Sequence, residues 1–193
     1  PTRRSSDLIV DRFVQDVKSK LSDLVSGNPS DPMTNIGPLA RDDLRIELHR
    51  YVSDSIKLGA NLICGGEMVD GDGFYYKPTI LTGIKKDMPV YFKEIFGPVF
   101  AIMSFKTDSE AIQLANDSAY GLGASIWSSN IEKATNISKQ IETGMVTIND
   151  MMKSDPRLPF GGIKLSGYGR EMSSLGIKEF INIKTITIRG ESS

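Results

Sequence analysis

The residues able to do chemistry are few. Cys64 is the only thiol and His49 the only imidazole in 193 residues. A nucleophilic Cys needs its pKa lowered by a helix N-terminus or a nearby cation. Cys64 lies in Leu-Ile-Cys-Gly-Gly, an apolar run with no neighbouring His or Lys, and reads as a small buried hydrophobe. His49 reads as an exposed helix residue on a charged stretch. One Cys excludes an internal disulfide and a Cys-rich zinc site, and one His excludes a two-His metal triad. The chemistry must therefore sit in two loops.

The first loop is Lys93-Glu94-Ile95-Phe96-Gly97-Pro98-Val99. A carboxylate can accept paired hydrogen bonds from a ribose diol, and an aromatic face can support a nicotinamide ring. An ordinary turn with a core Phe has the same spacing. The second loop runs from Ser154 to Glu171. It places Gly161, Gly162, Gly167 and Gly169 within nine positions. Such glycines permit close backbone approach, and a phosphate cradle is conceivable. No strand feeds directly into the run, however, and no Gly-Lys-Ser/Thr follows it, which argues against a P-loop.

Strands and helices must hold these loops. Apolar residues Val10, Phe13, Val14, Val17, Leu21, Leu24 and Val25 have helical spacing. A second helix is expected over 42–58, with Leu44, Leu48, Tyr51, Val52 and Ile56 inward. Strands are expected at 62–64, 99–105, 124–127 and 145–148, with an extended run over 74–81. Thr107-x-x-Glu110 and Ser129-x-x-Glu132 are capping boxes that open helices. The second of these helices should end at Gly144. A further helix is expected over 171–180, and alternating Ile and Thr over 181–188 predict a terminal strand. Strands alternating with helices imply parallel pairing with crossovers.

Composition limits the partners. There are 23 basic and 24 acidic residues, and the net charge of −1 offers nucleic acid or an anionic membrane no electrostatic attraction. There is no apolar run of transmembrane length, and the start of the chain does not read as a signal peptide. A cytoplasmic protein is expected. The chain opens without Met, which suggests a piece of a longer protein. Residues 1–8 resemble the translated end of a sequencing adapter and are set aside as non-native. An ordinary polar loop is the alternative, and side-chain packing of Arg3 and Arg4 into the domain would favour it.

Glu94-Ile95-Phe96-Gly97-Pro98-Val99, taken with Pro159-Phe160-Gly161-Gly162-Ile163-Lys164-x-Ser166-Gly167-x-Gly169-Arg170-Glu171, resembles the NAD(P)-dependent aldehyde dehydrogenase superfamily. Asn35-Ile36-Gly37-Pro38-Leu39, Tyr76-Lys77-Pro78-Thr79-Ile80-Leu81 and Gly144-x-Val146-x-Ile148-Asn149 resemble it too. The resemblance runs from about Ile9 to the end. Within the family, Met152-Lys153-Ser154-Asp155-Pro156-Arg157-Leu158-Pro159-Phe160 is most similar to bacterial succinate-semialdehyde dehydrogenases.

The resemblance implies an α/β catalytic domain with a mostly parallel sheet and flanking helices over 9–180. It also implies an oligomerisation strand and tail over 181–193, and a homodimer or homotetramer. It implies NAD or NADP as cofactor and an aldehyde substrate attacked by a Cys thiolate, giving a thioester that a Glu-activated water hydrolyses. Glu94 would hold the nicotinamide ribose, and Phe96 would pack near that ring. Phe160 would line the aldehyde tunnel. Ser154 would hydrogen-bond the distal carboxylate of succinate semialdehyde, with Arg157 a weaker candidate for its charge. Asn149 and the glycines would shape the loop wall. The family's nucleophile, base and oxyanion Asn would all lie upstream of this chain. It should therefore carry no catalytic residue and be inactive alone. The alternatives are a catalytically inactive oligomerisation module and a dehydrogenase for another small aldehyde.

Overall fold

The computed structural model describes residues 5–190, with the backbone alone for 5–8. The expectation for 1–8 therefore lies partly outside the described residues, Arg3 and Arg4 included. The chain divides into two compact units, 1–106 and 107–193.

The first unit holds α1 (Ser5–Ser22), α2 (Asp42–Lys57), β1 (Asn61–Cys64), β2 (Thr79–Thr82), α3 (Pro89–Phe92) and β3 (Val99–Ala101). Its sheet has the order β1-β2-β3. β1 runs antiparallel to β2, and β2 runs parallel to β3 with Thr79 opposite Val99. The parallel pair is the one joined through a helix, α3, as a crossover requires. α2 buries Leu48, Val52 and Ser55, spaced four and three residues apart on one face. With Ala60, Tyr76, Leu81, Met88 and Val90, the two apolar residues form the core. Burying each large member contributes about 2 kcal/mol. Ser55 is tolerated there because its hydroxyl donates to Tyr51 O at 2.7 Å and accepts Val90 N at 3.2 Å.

The second unit holds α4 (Asp108–Asn116), β4 (Tyr120–Gly121), β5 (Gly123–Ile126), α5 (Ile131–Ser138), β6 (Met145–Ile148), β7 (Ile163–Lys164) and α6 (Ser173–Lys178). β5 and β6 pair in parallel across the α5 crossover, in register from Gly123–Met145 to Ile126–Ile148. β4 and β7 form a short antiparallel pair. The mixed α/β architecture agrees with the expected fold class.

Several local expectations change. α1 ends at Ser22, and Val25 N donates to the Asn35 side chain at 2.9 Å instead of to the carbonyl of Leu21. The strand expected over 99–105 stops at Ala101 and is only partly buried. Thr107 does cap α4, its hydroxyl accepting Glu110 N at 3.2 Å. The α5 cap is Asn130 rather than Ser129, with its side chain accepting Lys133 N at 2.9 Å. α5 also stops six residues short of Gly144. Asn116 draws the chain away, donating to Gln140 O and accepting Glu142 N, both at 2.8 Å. α6 starts at Ser173 because Glu171 pairs with Phe160, and Met172 and Ser173 adopt positive φ. Residues 181–190 form no strand. Ile183, Ile186 and Ile188 stand at least three-quarters exposed, with no neighbouring backbone to complete a ladder.

Candidate functional site

The first loop turns Ile95 inward between two exposed residues. Ile95 packs against the core, while Glu94 and Phe96, on either side, are exposed, Phe96 by 70%. Two tight bonds follow, Gly97 N to Ile95 O at 3.1 Å and Val99 N to Gly97 O at 2.8 Å. Thr79 N to Pro98 O, at 2.8 Å, ties the loop to β2. A side chain at Gly97 would collide with the core residue Leu48, so the backbone must come this close. The Glu94 carboxylate has no hydrogen bond or ion pair among the described residues. Phe96 is thus an exposed aromatic rather than a core Phe.

The second loop, in the other unit, begins at a clamp. Asn149, at φ 55°, accepts Ser128 N and donates to Ser128 O, both at 2.8 Å, locking the ends of β5 and β6 together. Asp150 then pairs with Lys153 at 3.0 Å. Ser154 is exposed, and its hydroxyl has no partner among the described residues. Asp155 takes the Arg157 guanidinium as a fork, Nε at 2.9 Å and Nη2 at 2.6 Å, and also accepts Arg157 N at 2.9 Å. The guanidinium bond, ahead of the backbone one, holds the Asp155 carboxyl below the usual carboxylate range. Bonding from Lys153 does the same for Asp150.

Phe160 is half-buried and exchanges two 2.8 Å backbone bonds with Glu171. It helps line a cavity of about 420 Å³ with Gly161, Gly162, Tyr168, Arg170 and Phe180. Ser154 and Arg157 do not line that cavity. The glycine run is closed on itself. Lys164 Nζ donates to Asn116 O at 2.9 Å and Ser118 O at 3.1 Å, and pairs with Glu142 at 2.9 Å. Arg170 Nη1 donates to Gly162 O and Gly169 O, and Ser166 Oγ accepts Gly121 N. The loop's lysine and one arginine nitrogen are therefore engaged within the fold. The staples at Lys164 and Arg170, and the Asp155–Arg157 fork, were not anticipated. The alternating charges from Asp150 to Arg157 were the available signal.

The two residues set aside at the start look different in the fold. Cys64 is half-buried, its thiol facing Pro78 O at 3.9 Å, with no base beside it. His49 is not exposed, contrary to expectation. Its ring nitrogens lie 3.2 Å from the Tyr76 hydroxyl and 3.3 Å from Ser53 Oγ. The reason is that α2 turns His49 toward the buried Tyr76, whose hydroxyl needs a partner.

An outward Glu-x-Phe thus lies beside a core-anchored Gly-Pro, and Phe160 sits on a glycine loop that Lys164 and Arg170 staple. The family model for aldehyde dehydrogenases matches residues 6–186, and the chain belongs to that family. It is 43% identical over 187 residues to succinate-semialdehyde dehydrogenase [NADP(+)] of Mycobacterium avium, covering 97% of this chain and 39% of the relative. The succinic semialdehyde dehydrogenase of Streptococcus pyogenes, solved with NADP+, superposes with a TM-score of 0.91 at 43% identity, over 95% of this chain and 40% of that one. An aldehyde dehydrogenase of Mycobacterium tuberculosis, solved with NAD+, gives 0.83 at 41% identity, over 88% and 35%. The chain thus spans about 39% of the length of the curated relatives it matches.

Proposed function

We propose that this chain is the part of a cytoplasmic NAD(P)-dependent aldehyde dehydrogenase that faces the nicotinamide and the aldehyde, acting on succinate semialdehyde. The nicotinamide nucleotide, when bound, supplies the hydride acceptor. Glu94 and Phe96 fit such a group. An exposed carboxylate with no partner can accept from ribose hydroxyls, and an exposed ring two residues on gives a flat support. NADP is the cofactor named for the Mycobacterium avium relative.

The observation that carries the substrate reading is Ser154, a free hydroxyl in a loop otherwise occupied by paired charges. A hydroxyl there can donate to a distal carboxylate without first breaking a bond of its own. Phe160 excludes water on the aldehyde side. The nucleophilic Cys and the base Glu lie outside this chain, which has no activity alone. Homo-oligomers, dimer or tetramer, are the assembly that would cover the exposed isoleucines of 181–188.

The test is an aldehyde assay on the complete enzyme that contains this chain. Ser154→Ala should raise KM for succinate semialdehyde several-fold and leave butyraldehyde unchanged. An equal effect on both overturns the substrate reading. Turnover by the isolated chain that is lost on Cys64→Ala overturns the placement of the nucleophile.

A further inference from the structure

Ser154 sits between two ion pairs, and every cation within three residues of it is already bound to a carboxylate of its own loop. The Asp155–Arg157 pair is the better formed, at 2.6 Å against 3.0 Å. Its geometry is a two-point fork, the arrangement in which a guanidinium also takes a free carboxylate. The two partners are unequal. Arg157 is 85% exposed along its side chain and Asp155 only 24%. Asp155 is held by its loop, since it also accepts the Arg157 amide. Were the guanidinium to leave, that amide would still satisfy Asp155. The arginine is the partner that can be released.

We propose that Asp155 is a specificity-determining residue. It occupies the Arg157 fork as an internal carboxylate, and an incoming anionic substrate tail must displace it. This rests on the reading that Ser154 and Arg157 face a carboxylate-bearing aldehyde. The consequence is a loop that presents no open positive charge to passing anions. It engages only a carboxylate that the Ser154 hydroxyl holds close enough to compete. Asp155 thus sets the affinity threshold for the anionic tail, while Ser154 gives its position.

The experiment is a titration of the complete enzyme that contains this chain with succinate, with uncharged succinamide as control. It is followed by NMR at the Arg157 Nε–H, assigned by its loss in Arg157→Gln. Removing the internal competitor with Asp155→Asn, which keeps an acceptor for the residue 157 amide, should tighten succinate about fivefold, the scale an exposed ion pair commands. Succinamide should move neither protein. Asp155→Ser keeps an acceptor with no charge and should behave alike, which carries the test if the Asn variant does not fold. Equal succinate affinity in wild type and variants overturns the proposal. So does a matching response to succinamide, or failure of both variants to fold, which would make Asp155 structural only. No turnover is measured, so this result stands apart from the Ser154→Ala assay.

Discussion

Asn149 offers a sharp test of how the second loop is held. Its side chain makes both bonds of a strand-like pair with Ser128, and its backbone is left-handed at φ 55°. The two roles separate by substitution. Asn149→Asp keeps the acceptor and tolerance of left-handed backbone, but loses the bond to Ser128 O and turns a carboxylate oxygen toward that carbonyl. That costs about 1 kcal/mol, since the exposed side chain can rotate away and water can take the carbonyl. Asn149→Gly loses both bonds but meets no steric penalty, and gains unfolded-state freedom, for about 1.5 kcal/mol. Asn149→Ala loses both bonds and forces a Cβ into the left-handed region, for about 2–3 kcal/mol. The expected order of cost is therefore Asp, then Gly, then Ala. Denaturant unfolding read at Trp127, the only tryptophan and the residue before Ser128, should give this order in midpoint at constant slope. Thermal midpoints should fall by roughly 4–8 °C per kcal/mol for a unit of this size. An Ala variant more stable than the Gly variant would refute the backbone part of the argument. A neutral Asp variant would refute the bond to Ser128 O.

Three further outcomes follow from the fold. Asn130→Ala should cost about 1 kcal/mol by removing the α5 cap, whereas Ser129→Ala should cost under about 0.5, as circular dichroism melts of the two will compare. Gly65→Ala should cost at least ~3 kcal/mol in chemical denaturation, because residue 65 has φ 73° and its new Cβ would run into Pro78 O. Burial, with a smaller contribution from Glu67, pushes the Tyr76 hydroxyl up to about 12. The unfolded chain releases that proton near pH 10 and the folded chain only near 12. Stability should therefore be unaffected by this group below pH 10 and decline between 10 and 12, and Tyr76→Phe should flatten that decline in unfolding curves across the range.

Much of the scaffold was legible because its signals are local. The 42–58 helix follows from the spacing of Leu48 and Val52, and the Thr107 cap from one hydroxyl three residues before a Glu. The parallel pairing of β5 and β6 follows from an apolar run on either side of a helix. What was misplaced depended on partners distant in sequence. Nothing near Lys139 announces that Asn116 will draw 140–142 out of the helix. Asn130 and Ser129 are both good caps, and only the path of the backbone chooses between them. The 181–188 alternation is a strand pattern that pairs with no edge among the described residues. In the site, Glu94, Phe96 and Phe160 were legible from motifs; Glu94 and Phe96 are exposed and Phe160 is half-buried. The Arg157 fork was hidden because a charge reads as available until its neighbour's rotamer is known.

Gly121, Gly123 and Gly144, which end β4, open β5 and precede β6, bear on how far this chain can be re-engineered. A side chain at Gly123 would strike the Met152 sulfur, one at Gly144 the Gly161 carbonyl, and one at Gly121 the Ile163 side chain at 2.7 Å. Each contact joins a position in or beside a strand to a different point of the 150–169 segment. That segment is therefore not a detachable module. Grafting it from a relative would have to keep glycine at 144, where the clash is with backbone, and match the side chains at 152 and 163 to glycines at 123 and 121. Loop and scaffold would have to be exchanged together.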